Sequence, residues 1–516
     1  MPNSYWSDDS AGTGFGQLTD AAAGVSVDVA VVGGGITGVT TAYLLKAAGL
    51  SVALVEKGSV GQAETGHTTA HITYVTDERL PELAKKLGND HARAIWEAGE
   101  SALLQIEEIV DFEQIDCEFG WVPAYLHEPW TLKPEHHSSA SLHDDAALAE
   151  EFGFHATYLD AVPVANGPGV RFANQAKFHP LKYLSALAKR IPGDGSYLFE
   201  NTEVEEIQSE PLRVKCGRRV IHCDKVVVAT HVPLMGVAGL MQASFLQTKL
   251  ALYSTYAIGA KLPAGTLPEA MFWDTSDPYY YLRVDRHDDH DYVIFGGEDH
   301  KTGQTQGSTA EQYRKLEQLL RSIIPNAEVT HRWSGQVIET SDGMPYIGEF
   351  APGQFIATGF SGNGMTFGTL AAVMIRDAVL GRKNPWRDLF DPHRTGLRGG
   401  TWDYLKENVD YPYYLVRDRL RGADAESIDD VGPGEGKIVR LDGKPIAVSR
   451  DDKGTLSACS AVCTHLGCLV HWNDAEQTWD CPCHGSRFST DGSVIAGPAE
   501  TPLAKQELNA HAHNKQ

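Results

Sequence analysis

The stretch from Val27 to Glu56 constrains the fold of this chain more than any other. It opens with an apolar run that is typical of a buried parallel strand. Gly33, Gly35 and Gly38 follow, and a helix is expected from Thr40 to Ala48. In this spacing the first glycine permits a tight turn, the second lets a pyrophosphate approach the backbone, and the third lets the helix lie close to the strand. The amides at the start of the helix then face the phosphates.

A second apolar strand, Val52 to Val55, completes the unit and ends on Glu56, followed by Lys57. Glu56 lies about 20 residues beyond the glycines, where an acidic side chain accepts a hydrogen bond from a ribose hydroxyl. Strand, turn, helix, strand and acid therefore predict a dinucleotide site. The alternative is a helix–strand turn without a ligand.

Composition excludes several partners. Lys and Arg total 44 against 68 Asp and Glu, a net charge of −24, which repels nucleic acid and anionic membranes. The segment Met1 to Asp20 lacks the basic and apolar features of a secretion signal, and the longest apolar stretch, Val226 to Met241, is interrupted by His231 and Pro233. We therefore expect a cytoplasmic protein without stable membrane insertion.

Three later stretches complete a resemblance that begins with the glycine motif at Gly33 to Gly38. Ala229-Thr230 ends an apolar strand, Asp342 to Gly348 precedes another, and a glycine-rich turn then leads into a helix expected from Thr369 to Leu380. With the first motif, these stretches resemble the flavoprotein family that includes D-amino-acid oxidase, glycine oxidase and sarcosine oxidase. The resemblance implies FAD as the cofactor, contacted near Thr230 and by the turn whose helix N-terminus faces the flavin ring. The glycines of that turn are Gly359, Gly362 and Gly364. A turn without a phosphate or flavin role is the alternative.

Five of the eight cysteines lie between Cys459 and Cys483, which indicates a metal centre in a cytoplasmic chain. Cys463-x-His465 and Cys481-x-x-His484 offer two thiolates and two imidazoles. This set would suit tetrahedral zinc, but it is the pattern of a Rieske [2Fe-2S] centre, in which two cysteines hold one iron and two histidines hold the other.

The resemblance to Rieske proteins of the respiratory type implies further roles. Cys468 and Cys483 match the disulfide that joins the two cluster loops, with two reduced buried thiols as the alternative. Ser486 matches a residue whose hydroxyl bonds a cluster sulfide. Phe488 stands where those relatives carry tyrosine, so we expect a reduction potential below the high respiratory values, because one hydrogen bond to the cluster is missing.

Three residues are candidates near the substrate. His71, in a Thr-rich stretch, resembles the histidine that binds FAD covalently in some relatives, although a supporting polar role is also open. Arg283 and Tyr281 lie on a predicted strand where similar flavoenzymes hold a substrate carboxylate, and Arg283 has the planar donor pair for that task. A solvated surface arginine is the alternative.

The predicted architecture is an α/β FAD-binding (Rossmann-like) domain with an inserted α+β substrate domain, followed by a small all-β Rieske domain. The flavoenzyme covers residues 1–425, with FAD-binding segments at about 20–90, 178–240 and 331–395 and substrate-domain segments at about 91–177 and 241–330. The Rieske domain covers 426–516. A linker is expected around the boundary, from Asp391 to Asp430, with a helix near Trp402 to Asn408.

The predicted function is oxidation of a small amine or amino acid, including N-methylated ones, with electrons passing through the cluster to an external acceptor. An NADH-dependent reductase running the relay in reverse would need a second glycine motif, which the sequence lacks. A Rieske oxygenase would need a mononuclear iron site after the cluster, for which no ligands are found. A redox-sensing or electron-transfer protein is the alternative without amine turnover.

Overall fold

The structure is a computed structural model. It describes residues 4–8, 14–18, 24–130, 139–165, 167–232, 250–305, 307–394, 424–425, 427–441 and 443–508. The helix predicted near Trp402 to Asn408 lies outside these residues. Within them, no helix is long and apolar enough to cross a lipid bilayer.

The described helices and strands are numbered in chain order. The helices are α1 (Ile36–Ala47), α2 (Leu80–Leu87), α3 (Asn89–Glu113), α4 (Ser139–Glu151), α5 (Pro180–Ala188), α6 (Ala310–Ile323) and α7 (Gly364–Val379). The strands are β1 (Val25–Val32), β2 (Val52–Val55), β3 (His71–Ile72), β4 (Gly120–His127), β5 (Ala156–Leu159), β6 (Gly169–Lys177), β7 (Tyr197–Phe199), β8 (Glu206–Ser209), β9 (Leu212–Cys216), β10 (Arg219–Val228), β11 (Leu250–Pro263), β12 (Met271–Asp274), β13 (Tyr281–Arg286), β14 (His290–Lys301), β15 (Glu328–Thr340), β16 (Tyr346–Ala351), β17 (Gln354–Thr358), β18 (Gly436–Leu441), β19 (Lys444–Arg450), β20 (Leu456–Ser460), β21 (His471–Asn473), β22 (Thr478–Asp480), β23 (Arg487–Phe488) and β24 (Val494–Ala496).

The first sheet has its central strands in the order β16-β17-β10-β1-β2-β7, and β1 is parallel to both β2 and β10. Every residue of β2 is buried, because helices cover this sheet. Helix α1 packs against α7, and α7 also packs against α3. The order changes direction around β1, so the carboxyl ends of β1 and β10 meet at the edge where α/β sheets bind ligands.

The second sheet is mostly antiparallel and runs in the order β15-β11-β14-β13-β12-β4-β6-β3. It contains two strands that the sequence prediction gave to FAD-binding segments. β15 pairs with β11 from Thr340 to Glu328, and β3 pairs with β6. Such long-range pairing is not encoded in the local pattern of either strand, so the second sheet extends beyond the predicted substrate segments.

The C-terminal part is all-β among the described residues. β18, β19 and β20 form a three-stranded sheet, and β21 to β24 form a four-stranded one. Their core holds Cys463 and Cys481 together with fully buried Trp479 and Phe488. The predicted fold class, an α/β nucleotide-binding fold followed by a small all-β domain, is confirmed.

Candidate functional site

A cavity of about 1300 Å³ opens at the carboxyl ends of β1 and β10. It exceeds the roughly 300–1,000 Å³ of a typical small-ligand pocket, so it has room for a dinucleotide and a substrate together. Most of the predicted cofactor residues line it: Gly33, Gly35, Glu56, Lys57, His71, Thr230, Gly362 and Gly364. Gly38 and Gly359 are outside its described wall.

Gly38 explains the close approach of α1 to β1. A Cβ atom at Gly38 would lie 1.8 Å from the Gly33 carbonyl oxygen, so only glycine fits. Glu56 lies beside the same turn and accepts from the backbone amides of Gly34 at 2.6 Å and Gly58 at 2.7 Å. This narrow turn with an acidic residue at the next strand end fits the pyrophosphate and ribose of FAD.

The turn before α7 lies at the other end of the cavity, where the resemblance places the flavin ring. Asp77 accepts from the Gly362 amide at 2.7 Å and from the Tyr279 hydroxyl at 2.9 Å. Burial raises the pKa of Asp77 above its ordinary value. Asp77 and Tyr279 line the cavity as well, so this end has an acidic wall.

A β-bulge adds a second carboxylate to that end. The register of β11 and β14 shifts so that Glu298 and Asp299 together oppose the single residue Thr255, and Glu298 takes a left-handed backbone conformation with φ 60°. Bulges redirect side chains, and here Asp299 and Thr255 both line the cavity.

Only one oxygen of the Asp299 carboxylate has a hydrogen-bond partner among the described residues. The Thr255 hydroxyl hydrogen-bonds it, and the Thr255 and Tyr281 hydroxyls are 2.9 Å apart. The other oxygen, Asp299 Oδ1, is buried without a hydrogen-bond partner among the described residues. Burial, with Asp77 and Glu298 adding repulsion, raises the pKa of Asp299 to about 7.

His71 lines the cavity beside Tyr281, with the two rings edge-on at 5.6 Å. Its Nδ1 is 3.1 Å from the Thr69 hydroxyl. Burial, with a contribution from Arg283, lowers the pKa of His71 to about 3, so the imidazole is neutral at physiological pH. Its position is compatible with both roles predicted for it.

Arg283 is buried and engaged within the protein. Its side chain is 1 % exposed, so it is neither a solvated surface arginine nor part of the described cavity wall. Arg283 lies on the same face of β13 as Tyr281 and Asp285, and its guanidinium pairs with the Asp285 carboxylate at 3.0 Å. The remaining donors bind the backbone carbonyls of Thr69, Ala70 and Phe178. Arg283 therefore joins β13 to the backbone just before β3 and just after β6, and its role at a substrate carboxylate stays a prediction.

The four predicted iron ligands come together on two loops. Cys463 and Cys481 are buried and close enough for their side chains to hydrogen-bond, and the rings of His465 and His484 are perpendicular at 4.9 Å. The Nδ1 atom of His465 is buried without a hydrogen-bond partner among the described residues. Burial lowers the pKa of His465 to about 4, and a neutral imidazole is the ligating form. This donor set fits a Rieske cluster.

Cys468 and Cys483 form a disulfide that joins the two loops. Their sulfur atoms and that of Cys481 lie within 4.8 Å of one another. This trio is not a ligand set, because a disulfide offers no thiolate. Ser486 is fully buried, and its oxygen accepts from the Ala499 amide at 2.9 Å.

The cluster loops are bonded to the wall of the cavity. Ala499 and Thr501 line the cavity. The Ala499 amide donates to Ser486, and Thr464, which follows the predicted ligand Cys463, donates its hydroxyl to the Thr501 carbonyl at 2.6 Å. The segment from Val494 to Thr501 thus belongs both to the cavity wall and to the support of the cluster site.

The second sheet makes a further contact with the cluster loops. Gln336, on β15 and in the cavity wall, donates to the Gly485 carbonyl at 2.9 Å. A Cβ at Gly485 would lie 2.7 Å from Leu252 Cβ, and its φ is +69°, so glycine allows the loop to rest directly on β11. One cluster loop is therefore adjacent to the sheet that brings Thr255 and Asp299 to the cavity wall.

The start of α6 completes this interface. Asp474, between β21 and β22, accepts from the Thr309 amide at 2.7 Å, from the Thr309 hydroxyl at 2.6 Å and from the Ser308 hydroxyl. An acidic side chain at a helix N-terminus is the favoured cap. Nearby, Tyr313 donates to Glu476 at 3.0 Å. The cap of this helix is therefore supplied by the C-terminal domain.

Sequence reasoning missed the residues that long-range packing brings to the cavity. In the sequence, Asp299 is only one more position in the alternating pattern of β14. The bulge that redirects its side chain leaves no local signal beyond the glycines before it. Asp77 and Tyr279 belong to no recognisable motif in the sequence. Gln336 and the segment from Val494 to Thr501 carried no motif.

Comparison with known proteins agrees with this geometry. The model of the FAD dependent oxidoreductase (DAO) family matches residues 28–378, and that of the Rieske [2Fe-2S] domain matches 423–507. The protein YhfW of Bacillus subtilis (strain 168), named for a Rieske 2Fe-2S iron-sulfur centre, is 34% identical over 98% of both chains.

Two other proteins each resemble only one part of the chain. The cytochrome b6-f complex iron-sulfur subunit of Chlorobaculum tepidum is 48% identical over 80 residues, 15% of this chain and 43% of that protein. Glycine oxidase from Geobacillus kaustophilus shares the fold, with a TM-score of 0.59 at 19% identity, over 72% of this chain and 99% of that one. The chain belongs to the FAD dependent oxidoreductase family and carries a C-terminal Rieske [2Fe-2S] domain.

Proposed function

We propose that this oxidoreductase oxidises a small amine or amino acid, including N-methylated ones, at a C–N bond and passes the electrons through the Rieske centre to an external acceptor. When bound, FAD accepts a hydride and the [2Fe-2S] cluster carries single electrons. The observation that supports this most strongly is the shared wall, because one segment, Val494 to Thr501, lines the cavity and hydrogen-bonds both cluster loops.

The chain's own residues would divide the work by position. Gly33 to Gly35 and Glu56 would hold the nucleotide half of FAD, and Gly362 and Gly364 would face its ring end. Cys463 and Cys481 would hold one iron, and His465 and His484 the other. The fold shared with glycine oxidase supports the C–N bond class, but a fold alone does not name a substrate.

Docking keeps the two sites in a fixed relation. Gln336, Thr309 and Tyr313 each donate a hydrogen bond across the interface, and the Ala475 amide of the C-terminal domain donates one to the Thr309 hydroxyl. Each of these donors meets a buried or half-buried acceptor. Separation of the domains would therefore break the hydrogen bonds and expose the donors and acceptors to water. Preorganised positions of this kind suit transfer between two bound redox groups.

The test is anaerobic mixing of the purified holoprotein with amines, N-methylated amino acids, amino acids and, separately, NADH. We expect an amine or amino acid to bleach the flavin absorbance, and low-temperature electron paramagnetic resonance to detect the reduced cluster afterwards. A Cys481→Ser variant should retain flavin bleaching and lose the cluster signal. Flavin bleaching without a cluster signal in the wild type would contradict the relay, and reduction by NADH alone would favour the reverse direction.

A further inference from the structure

The substrate end of the cavity is acidic and aromatic. Asp77 and Asp299 line it, as do the rings of Tyr279, Tyr281 and Trp273. The two tyrosine rings lie 5.9 Å apart and are tilted by 58°. Carboxylates beside the faces of aromatic rings are the surroundings in which proteins bind organic cations.

The cations of the described wall are already engaged. Arg79 pairs with Asp145, which also lines the cavity. Lys57 lies next to Glu56 at the nucleotide end, donates to the Val494 carbonyl at 3.1 Å and pairs with Glu203 at 3.6 Å. Arg283, the residue with the geometry to hold a carboxylate, is buried against Asp285. A substrate carboxylate near Asp77 and Asp299 would therefore face like charge without a free cation.

One acceptor points to a missing partner. Asp299 Oδ1 is buried in the cavity wall and has no hydrogen-bond partner among the described residues. A buried carboxylate oxygen without a donor is costly, and a bound ammonium group would supply both the donor and the opposite charge. The bulge opposite Thr255 is what gives Asp299 this orientation.

We propose that the substrate is a cationic amine without a carboxylate, and that Asp299 binds its ammonium group with Tyr279 and Tyr281 beside it. This inference rests on the proposed function, since it names the substrate class of the same cavity. It also makes Asp299 the residue that decides between amines and amino acids, because the carboxylate of an amino acid would have to lie in the same acidic wall.

The test is binding of three probes of one shape to the holoprotein at pH 8 by isothermal titration calorimetry. The probes are tert-butylammonium, pivalate and tert-butanol, and the amine cannot be oxidised because its nitrogen-bearing carbon carries no hydrogen. We expect the cation to bind at least tenfold more tightly than the anion or the alcohol. Pivalate binding as tightly as the cation would overturn the proposal, and this comparison needs no variant.

Two variants assign the effect. Asp299→Asn should weaken tert-butylammonium binding at least tenfold, whereas Asp289→Asn should leave it unchanged, because Asp289 is exposed in the turn before β14 and outside the cavity wall. Circular dichroism checks that both variants fold. Equal affinity of the wild type and Asp299→Asn would overturn the role of Asp299.

A second measurement separates this inference from the proposed function. Anaerobic flavin bleaching is compared for butylamine and N-methylbutylamine against glycine, sarcosine and D-alanine. Bleaching by the amines alone supports both ideas. Bleaching by the amino acids alone keeps the proposed function and overturns the cation site. If no compound bleaches the flavin, the proposed function fails, and the binding of tert-butylammonium still decides the cation site.

Discussion

Asp474 offers a direct test of whether the C-terminal domain is held against the flavoenzyme part. Its carboxylate receives the Thr309 amide, the Thr309 hydroxyl and the Ser308 hydroxyl across the interface. Asp474→Ala removes this cap from α6. Asp474→Asn keeps an oxygen acceptor of the same shape and removes only the charge.

The magnitude follows from the two components of the cap. Loss of an N-cap side chain costs about 1 kcal/mol, with a range of roughly 0.5–2, and loss of a negative charge at a helix N-terminus costs about 0.3–1 kcal/mol more. Asp474→Ala should therefore weaken docking by about 1–3 kcal/mol, a factor of roughly 5 to 150. Asp474→Asn should weaken it by only about 0.3–1 kcal/mol.

Hydrogen exchange of the amides from Thr309 to Tyr313 measures this docking without any substrate. These amides should exchange faster in Asp474→Ala, by the factor given above wherever exchange requires separation of the domains, and less so in Asp474→Asn. Asp491→Ala is the matched control, because Asp491 accepts hydrogen bonds from Ser489, Ser493 and Lys505 within its own domain.

Stopped-flow absorbance provides a second readout. Cluster reduction after flavin bleaching should slow in the order wild type, Asp474→Asn, Asp474→Ala, with flavin bleaching itself unchanged. The reasoning is refuted if exchange at the start of α6 is the same in Asp474→Ala as in the wild type, or if Asp491→Ala accelerates it equally.

Three further outcomes can be measured. Because the pKa of Asp299 is about 7 and Asp77, Glu298, Tyr281 and Thr255 surround it, the carboxylate is protonated below that pH. Calorimetry should therefore find tert-butylammonium binding about tenfold weaker at pH 6 than at pH 8, and equal constants would contradict an ionised Asp299 as the partner. Phe488→Tyr adds a hydroxyl donor in the core that holds Cys463 and Cys481. A net hydrogen bond of about 1 kcal/mol corresponds to about 40 mV for one electron, so redox titration should show the reduction potential of the cluster rise by that amount. An unchanged or lower potential would contradict this expectation. Gly38→Ala places its Cβ 1.8 Å from the Gly33 oxygen and should lower the free energy of unfolding by about 3 kcal/mol or more, with loss of bound FAD in the absorbance spectrum, whereas Gly120→Ala, with no atom within 4 Å of its Cβ and outside the cavity wall, should retain FAD.

The short motifs were readable because each is built from neighbours in the chain. Gly33, Gly35 and Gly38 act within a single turn. The backbone of Gly33, only five residues away, excludes any side chain at Gly38. The Cys463–His465 and Cys481–His484 pairs each occupy one loop, so their spacing alone predicted the donor set that the fold brings together. A dinucleotide site and the Rieske donor set followed from these local patterns, and FAD followed from the family resemblance that they carry.

The substrate wall and the domain interface depend on pairs that are distant in sequence. Arg283 and Asp299 both lie on strands of the second sheet, yet the first is buried in its ion pair with Asp285, while a bulge against Thr255 turns the second into the cavity. The contacts of Gln336 with Gly485 and of Thr309 with Asp474 join residues 149 and 165 positions apart. The sequence by itself therefore determined which cofactors this protein can hold, because those sites are local. Only the tertiary structure decided which charges face the substrate and where the cluster rests, because side-chain direction and domain contact are set by packing between distant segments.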